Sequence, residues 1–142
     1  MKQYSHNALT AFLGGLLAAS ALSLLWYIVF DIAGIKKPFP ATALGLFLHY
    51  LILAALIEEG IKFLLIRKNV GKYPYGYLLG FGFGIGEVLL NHPISEAWRG
   101  SGCILLHTIT AGVVAYFIRK KKPVIGFVIA VLIHLGYDYL VL

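Results

Sequence analysis

Charge is scarce in this chain. Only 13% of its 142 residues are charged, against about 25% in ordinary soluble domains. With 60% hydrophobic residues and a mean hydropathy of +0.85, the composition excludes a water-soluble globular domain and points to a bilayer. Cysteine is nearly absent too. Cys103 stands alone, so no internal disulfide can form. There is no H-E-x-x-H, which excludes a zincin-type site, and no G-x-G-x-x-G, which excludes a dinucleotide loop. Ser95 and Ser101 fall in a short loop and pair with no histidine as a serine nucleophile would. Internal repeats and low-complexity segments are also missing. Acids are outnumbered, six against twelve Lys and Arg, for a net charge of +6. A basic chain raises the question of nucleic acid, but these basic residues gather in short breaks between apolar runs, where membrane topology accounts for them. No nucleic-acid partner is expected.

Apolar runs fill most of the chain. Five of them, about 8–32, 42–66, 75–91, 102–118 and 124–142, are each long enough to cross a hydrocarbon core of about 30 Å. They do not alternate as barrel strands do, and only helices or closed barrels span a bilayer. The expectation is an all-α membrane bundle of five transmembrane helices forming one domain over 1–142. The first run continues through Leu24, Leu25 and Trp26 to Phe30, past the length of a signal-peptide core, and reads as a retained span. Lys2, Arg67, Lys68, Lys72 and Arg119 to Lys122 fall on one side of such a bundle, and Lys36, Lys37 and Arg99 on the other. The positive-inside rule then puts the N-terminus in the cytoplasm. The expected setting is a multi-pass protein of a prokaryotic cell membrane.

Ionisable residues inside these runs are the exceptions that need a reason, because a charge at the centre of a span costs about 2.5–3.5 kcal/mol. The second run holds Glu58, Glu59 and Lys62. At 100° per residue, Lys62 projects between the two glutamates, so one lysine faces two acids and one acid is left over. The third run carries Gly76, Gly80, Gly84 and Glu87 on one face, with Gly82 and Gly86 on a second small-residue face. Such faces let backbones approach closely in lipid and would bring Glu87 against a neighbouring helix. The fourth run has His107, flanked at helical spacing by Cys103, Thr110 and Ala111. The fifth has His134 and Asp138 stacked one turn apart, where the acid can orient the ring. Counted from the middle of each run, Glu58, Glu87, His107 and His134 fall within about 6 Å of one depth at 1.5 Å per residue, with Asp138 slightly farther out. His49 and His92 lie off this slab and read as interface or packing residues.

A buried carboxylate among lysine and histidine can act as general base on water, and imidazoles can donate to the oxyanion formed at an attacked carbonyl. This inventory suits amide hydrolysis within the membrane. The succession Glu58-Glu59-x-x-Lys62, Phe83-x-x-x-Glu87, His107 and His134-x-x-x-Asp138 resembles the PrsW branch of the CAAX-protease and bacteriocin-processing superfamily of intramembrane glutamic proteases. The resemblance covers about residues 54–142. It implies that Glu58 activates the water, that Glu87 helps hold it, and that His134 and Asp138 support the oxyanion. Glu59 and Lys62 would buttress Glu58, and His107 matches a further motif histidine. It also implies a membrane-protein or lipidated-peptide substrate and no cofactor.

The chain departs from that pattern in three ways. Val88 follows Glu87 where many relatives have asparagine, Asp138 replaces an asparagine and donates a hydrogen bond only when protonated, and relatives usually have more than five spans. Assembly into a homo-oligomer is one way to complete a site from five. Two other readings stand beside the peptidase. One is a non-catalytic membrane scaffold, accessory or immunity protein, in which the polar residues serve packing. The other is a metal-dependent hydrolase or ion-binding protein using Glu58, Glu87, His107 and His134, with zinc the metal that carboxylates and imidazoles suit.

Overall fold

The computed structural model describes residues 2–26, 28, 55–68, 74–91 and 97–141. Within them the chain is all-helical: α1 (Lys2–Trp26), α2 (Ile57–Lys68), α3 (Pro74–Asn91), α4 (Ala97–Arg119) and α5 (Pro123–Val141). No strand occurs among the described residues, as the unalternating apolar runs require. Three stretches are long and apolar enough to cross a membrane: Asn7–Leu25, Gly100–Arg119 and Pro123–Val141. Tyr75–Leu90 is a shorter apolar helix. This is the architecture of a membrane protein. Large apolar side chains such as Leu17, Leu89, Val124, Leu132 and Leu140 are exposed on the bundle's outside, as lipid-facing residues are. Residues 27 and 29–32 at the end of the first expected span, 42–54 at the start of the second, His49, His92 and the Lys36-Lys37 break lie outside the described residues.

Local sequence sets the helix ends. Pro74 and Pro123 open α3 and α5 at the first helical position, where a missing N–H costs nothing and the fixed φ fits. The start of α4 lies five residues before the expected boundary of 102, because Ala97-Trp98-Arg99 continues the helix on its polar end. Its other end closes in a Schellman turn. Lys122 N donates to Phe117 O at 2.9 Å and Lys121 N to Ile118 O at 3.0 Å, while Lys121 takes the left-handed conformation at φ 58°. Glycine usually fills that position. Here a lysine does, in a run of four basic residues that ends the span, with Pro123 starting the next.

The helices pack as a chain of neighbours, α1 on α3, α3 on α4 and α4 on α5, with α2 touching the other four. The α3 glycines make the first two contacts possible. Gly76, Gly80 and Gly84 face α4, and Gly82 and Gly86 face α1, as the two small-residue faces predict. A methyl on Gly84 would sit 2.6 Å from Ile104 Cα, and one on Gly86 2.8 Å from the Leu16 carbonyl oxygen. An apolar core of Ile66, Tyr75, Leu79, Ala111, Val114 and Ala130 joins α2 to α5 at one end of the bundle, with Phe63 and Phe127 edge-to-face at 5.6 Å. That end also carries Arg67, Lys68 and the Arg119–Lys122 turn.

Candidate active site

Above this apolar core, α2 turns its first two turns inward. Glu59 and Lys62 are wholly buried, and Glu58 nearly so. Lys62 is three residues from Glu59, and its Nζ lies 2.5 Å from Glu59 Oε1. The same ammonium reaches across to α4, where it meets His107 Nδ1 at 2.7 Å and Thr110 Oγ1 at 3.1 Å. An ammonium has three N–H donors and no acceptor, so these three contacts use all of its protons. Of the two acids that flank Lys62, the pair forms with Glu59. Glu58 is the acid left over.

That coordination fixes a proton on α4. Lys62 can only donate, so Nδ1 of His107 must accept, and the ring proton lies on Nε2. Nε2 bonds Glu87 Oε2 on α3. Gly80 makes this meeting possible: its Cα packs against the His107 carbonyl, and any Cβ there would overlap it. The His107 ring is further clamped by Phe83, with centroids 4.9 Å apart, and Lys62 Nζ lies 5.1 Å over the same Phe83 ring.

On α5, His134 is buried and its Nδ1 lies 2.8 Å from Glu59 Oε1. A carboxylate accepts, so Nδ1 carries a proton. A chain of directed bonds therefore runs from His134 to Glu59, from Lys62 to Glu59 and His107, and from His107 to Glu87. The two imidazoles stand edge-to-face with centroids 5.2 Å apart.

Glu58 occupies the open side of this chain. Its Oε2 lies 3.8 Å from His107 Nε2 and 3.9 Å from His134 Nε2. These distances are too long for hydrogen bonds. His134 Nε2 also faces Asp138 Oδ2 at 3.7 Å. Glu58 Oε2, Glu59 Oε2 and Asp138 Oδ2 are buried and receive no hydrogen bond from any described residue. A buried acceptor without a donor is costly, so the cluster is built to receive one. It is also acid-rich: Glu58, Glu59, Glu87 and Asp138 are four of the chain's six acids, gathered around one lysine and two imidazoles.

The structure thus brings together all seven residues singled out from the sequence: Glu58, Glu59, Lys62, Glu87, His107, His134 and Asp138. Two neighbours carry more than the sequence assigned them. Thr110 is the third acceptor of Lys62, and Cys103 sits with its Sγ within 4.8 Å of ligand atoms of Glu87 and His107. Their signal was spacing: both lie on the His107 face of α4, at i+3 and i−4. The expected roles shift in one respect. Glu87 Oε2, assigned to water, is engaged by His107, so any water it holds must use its other oxygen.

Glu58, His107 and His134 also offer ligand atoms within 4.8 Å of one another, as a metal site would. The hydrogen bonds argue against that use. His107 Nε2 carries the proton that Glu87 accepts and has no lone pair to give a cation while Lys62 occupies Nδ1. The same bond blocks the alternative set of Glu87, Cys103 and His107. No protein-family model, curated protein or solved structure matches this chain.

Proposed function

We propose that this protein is a multi-pass intramembrane peptidase, with its N-terminus in the cytoplasm of a prokaryotic cell, that hydrolyses a peptide bond in a membrane protein or lipidated peptide. The observation that carries the reading is Glu58 Oε2: a buried carboxylate oxygen to which no described residue donates a hydrogen bond, facing two imidazole nitrogens at 3.8 and 3.9 Å. A water in that space would donate to Glu58, which takes its proton as the water attacks the scissile carbonyl. Glu59 and Lys62 hold the helix and the two rings around it. Glu87, anchored by His107, flanks the water. His134, with Asp138 beside it, meets the tetrahedral intermediate that follows. The similarity of the four spaced motifs to the PrsW branch supports the same assignment.

The test is Glu58→Gln, measured in detergent and in vesicles on a membrane-anchored peptide library. A general base contributes about 10²–10⁴-fold, so turnover should fall by that factor while insertion and unfolding midpoint stay within the wild-type range. Full turnover in the variant removes Glu58 as the base. Function retained after both Glu58→Gln and Glu87→Gln would favour the scaffold reading.

A further inference from the structure

We infer that His134 is the general acid that protonates the leaving amine, with Glu59 as its positioning residue, rather than a hydrogen-bond donor to the oxyanion. The assignment rests on the peptidase reading and goes beyond it by fixing where the proton travels.

Geometry carries the argument. Glu59 Oε1 holds His134 Nδ1 at 2.8 Å, so the proton of the neutral ring lies on Nδ1 and Nε2 presents a lone pair. A nitrogen in that state cannot donate to an oxyanion. It can accept a proton and then give it away. Three groups face His134 besides Glu59: Glu58 Oε2 at 3.9 Å and Asp138 Oδ2 at 3.7 Å, both from Nε2, and the His107 ring at 5.2 Å between centroids. Neither oxygen near Nε2 receives a hydrogen bond from a described residue, so a proton arriving on Nε2 is met by two carboxylates. A carboxylate behind an imidazole that fixes its tautomer and steadies the cation is the arrangement that serves proton transfer in serine hydrolases.

The steps balance. Water loses a proton to Glu58 as its oxygen bonds the carbonyl carbon. The proton passes from Glu58 to His134 Nε2, making the imidazolium. As the carbon–nitrogen bond breaks, His134 Nε2 delivers that proton to the departing nitrogen. The products are a carboxylic acid and an amine, and Glu58 and His134 return to their starting states.

A pair of probes separates this role from an oxyanion role. One is an N-lauroyl-leucine alkyl amide, whose amine must be protonated to leave. The other is the p-nitrophenyl ester of the same N-lauroyl-leucine, whose phenolate leaves without a proton. Both are assayed with the full chain in detergent micelles. His134→Gln places an amide near the Nε2 position that donates a hydrogen bond but shuttles no proton. His134→Asn keeps a donor near the Nδ1 position toward Glu59 and removes Nε2. Both variants should lose about 100-fold or more on the amide and under about 10-fold on the ester, within the span of general acid catalysis. Retained ester turnover also shows that the variants fold. Equal losses on both probes, or amide turnover preserved in His134→Gln, overturn the assignment. Wild-type protein that cleaves neither probe counts against it and against the peptidase reading together. Glu58→Gln with wild-type rates on both probes overturns the Glu58-to-His134 proton route together with the base, whereas lost turnover in that variant with an unchanged amide-to-ester ratio in the His134 variants overturns the His134 assignment alone.

Discussion

The polar cluster between α2, α4 and α5 and the glycine seams of α3 are both buried, yet they hold the bundle in opposite ways. The cluster depends on groups being present. Lys62 meets three acceptors, and without it Glu59 loses its counter-charge and His107 Nδ1 its donor. The seams depend on groups being absent, since Gly76, Gly80, Gly82 and Gly84 would each drive an added methyl into a neighbouring helix. One region fails when atoms are removed and the other when atoms are added. They meet at His107, whose side chain belongs to the cluster and whose carbonyl lies against Gly80.

Breaking the cluster should have the largest effect on stability. Lys62→Met leaves Glu59 buried without its counter-charge, and removal of one member of a buried pair costs about 3–5 kcal/mol. The loss is measured by reversible unfolding in mixed detergent. Adding Glu59→Gln should restore part of it, because the stranded charge is gone. If the single variant is as stable as wild type, the cluster is not what holds α2 in place.

The seam predicts the next effect. Gly80→Ala forces α4 away from α3 at His107 and should cost about 1–3 kcal/mol, as overpacking does. It should also lower turnover in the proposed peptidase reaction, because the His107–Glu87 contact spans that seam. A variant with lost stability and unchanged turnover would separate the seam from the site.

Much of this comparison was legible in the sequence. The α3 faces followed from glycines four residues apart, and the cluster from charged residues that lipid does not tolerate unpaired. Which glutamate pairs with Lys62 was not legible, because angular spacing sets Glu58 and Glu59 on either side of it and only α4 and α5 decide. His134 draws Glu59 and Thr110 draws the ammonium, so Glu58 is left over. Nor was the direction of each hydrogen bond readable, since a tautomer depends on what stands at the other ring nitrogen. The start of α4 differed from expectation because hydropathy marks where a span meets lipid, while the helix itself runs on into polar residues.

Thr110 sharpens the comparison at smaller scale. Thr110→Val keeps the shape and removes the third acceptor of Lys62, and a buried N–H left unsatisfied costs about 1–3 kcal/mol. Its hydroxyl is the longest of the three contacts at 3.1 Å, so the lower end is expected. Thr110→Ser should recover most of the loss in the same unfolding assay. A loss in Thr110→Ser with none in Thr110→Val would mean that the methyl, and not the hydroxyl, is what the site requires.

The smallest effect isolates the seam from helix propensity. Gly14 and Gly15 are adjacent in α1, yet a methyl on Gly14 meets nothing within 4 Å, while one on Gly15 would collide with the Leu79 carbonyl on α3. Alanine favours a helix interior over glycine by about 0.5–1 kcal/mol, so Gly14→Ala should be neutral or stabilising by up to that amount. Gly15→Ala receives the same propensity gain and must still lose stability, because backbone on α3 cannot yield as a flexible side chain would. The difference between the two variants therefore measures the steric demand of the α1–α3 seam alone. Equal stabilities would show that α1 can shift along α3 at little cost, and that this seam is far softer than the one that holds His107 against Glu87.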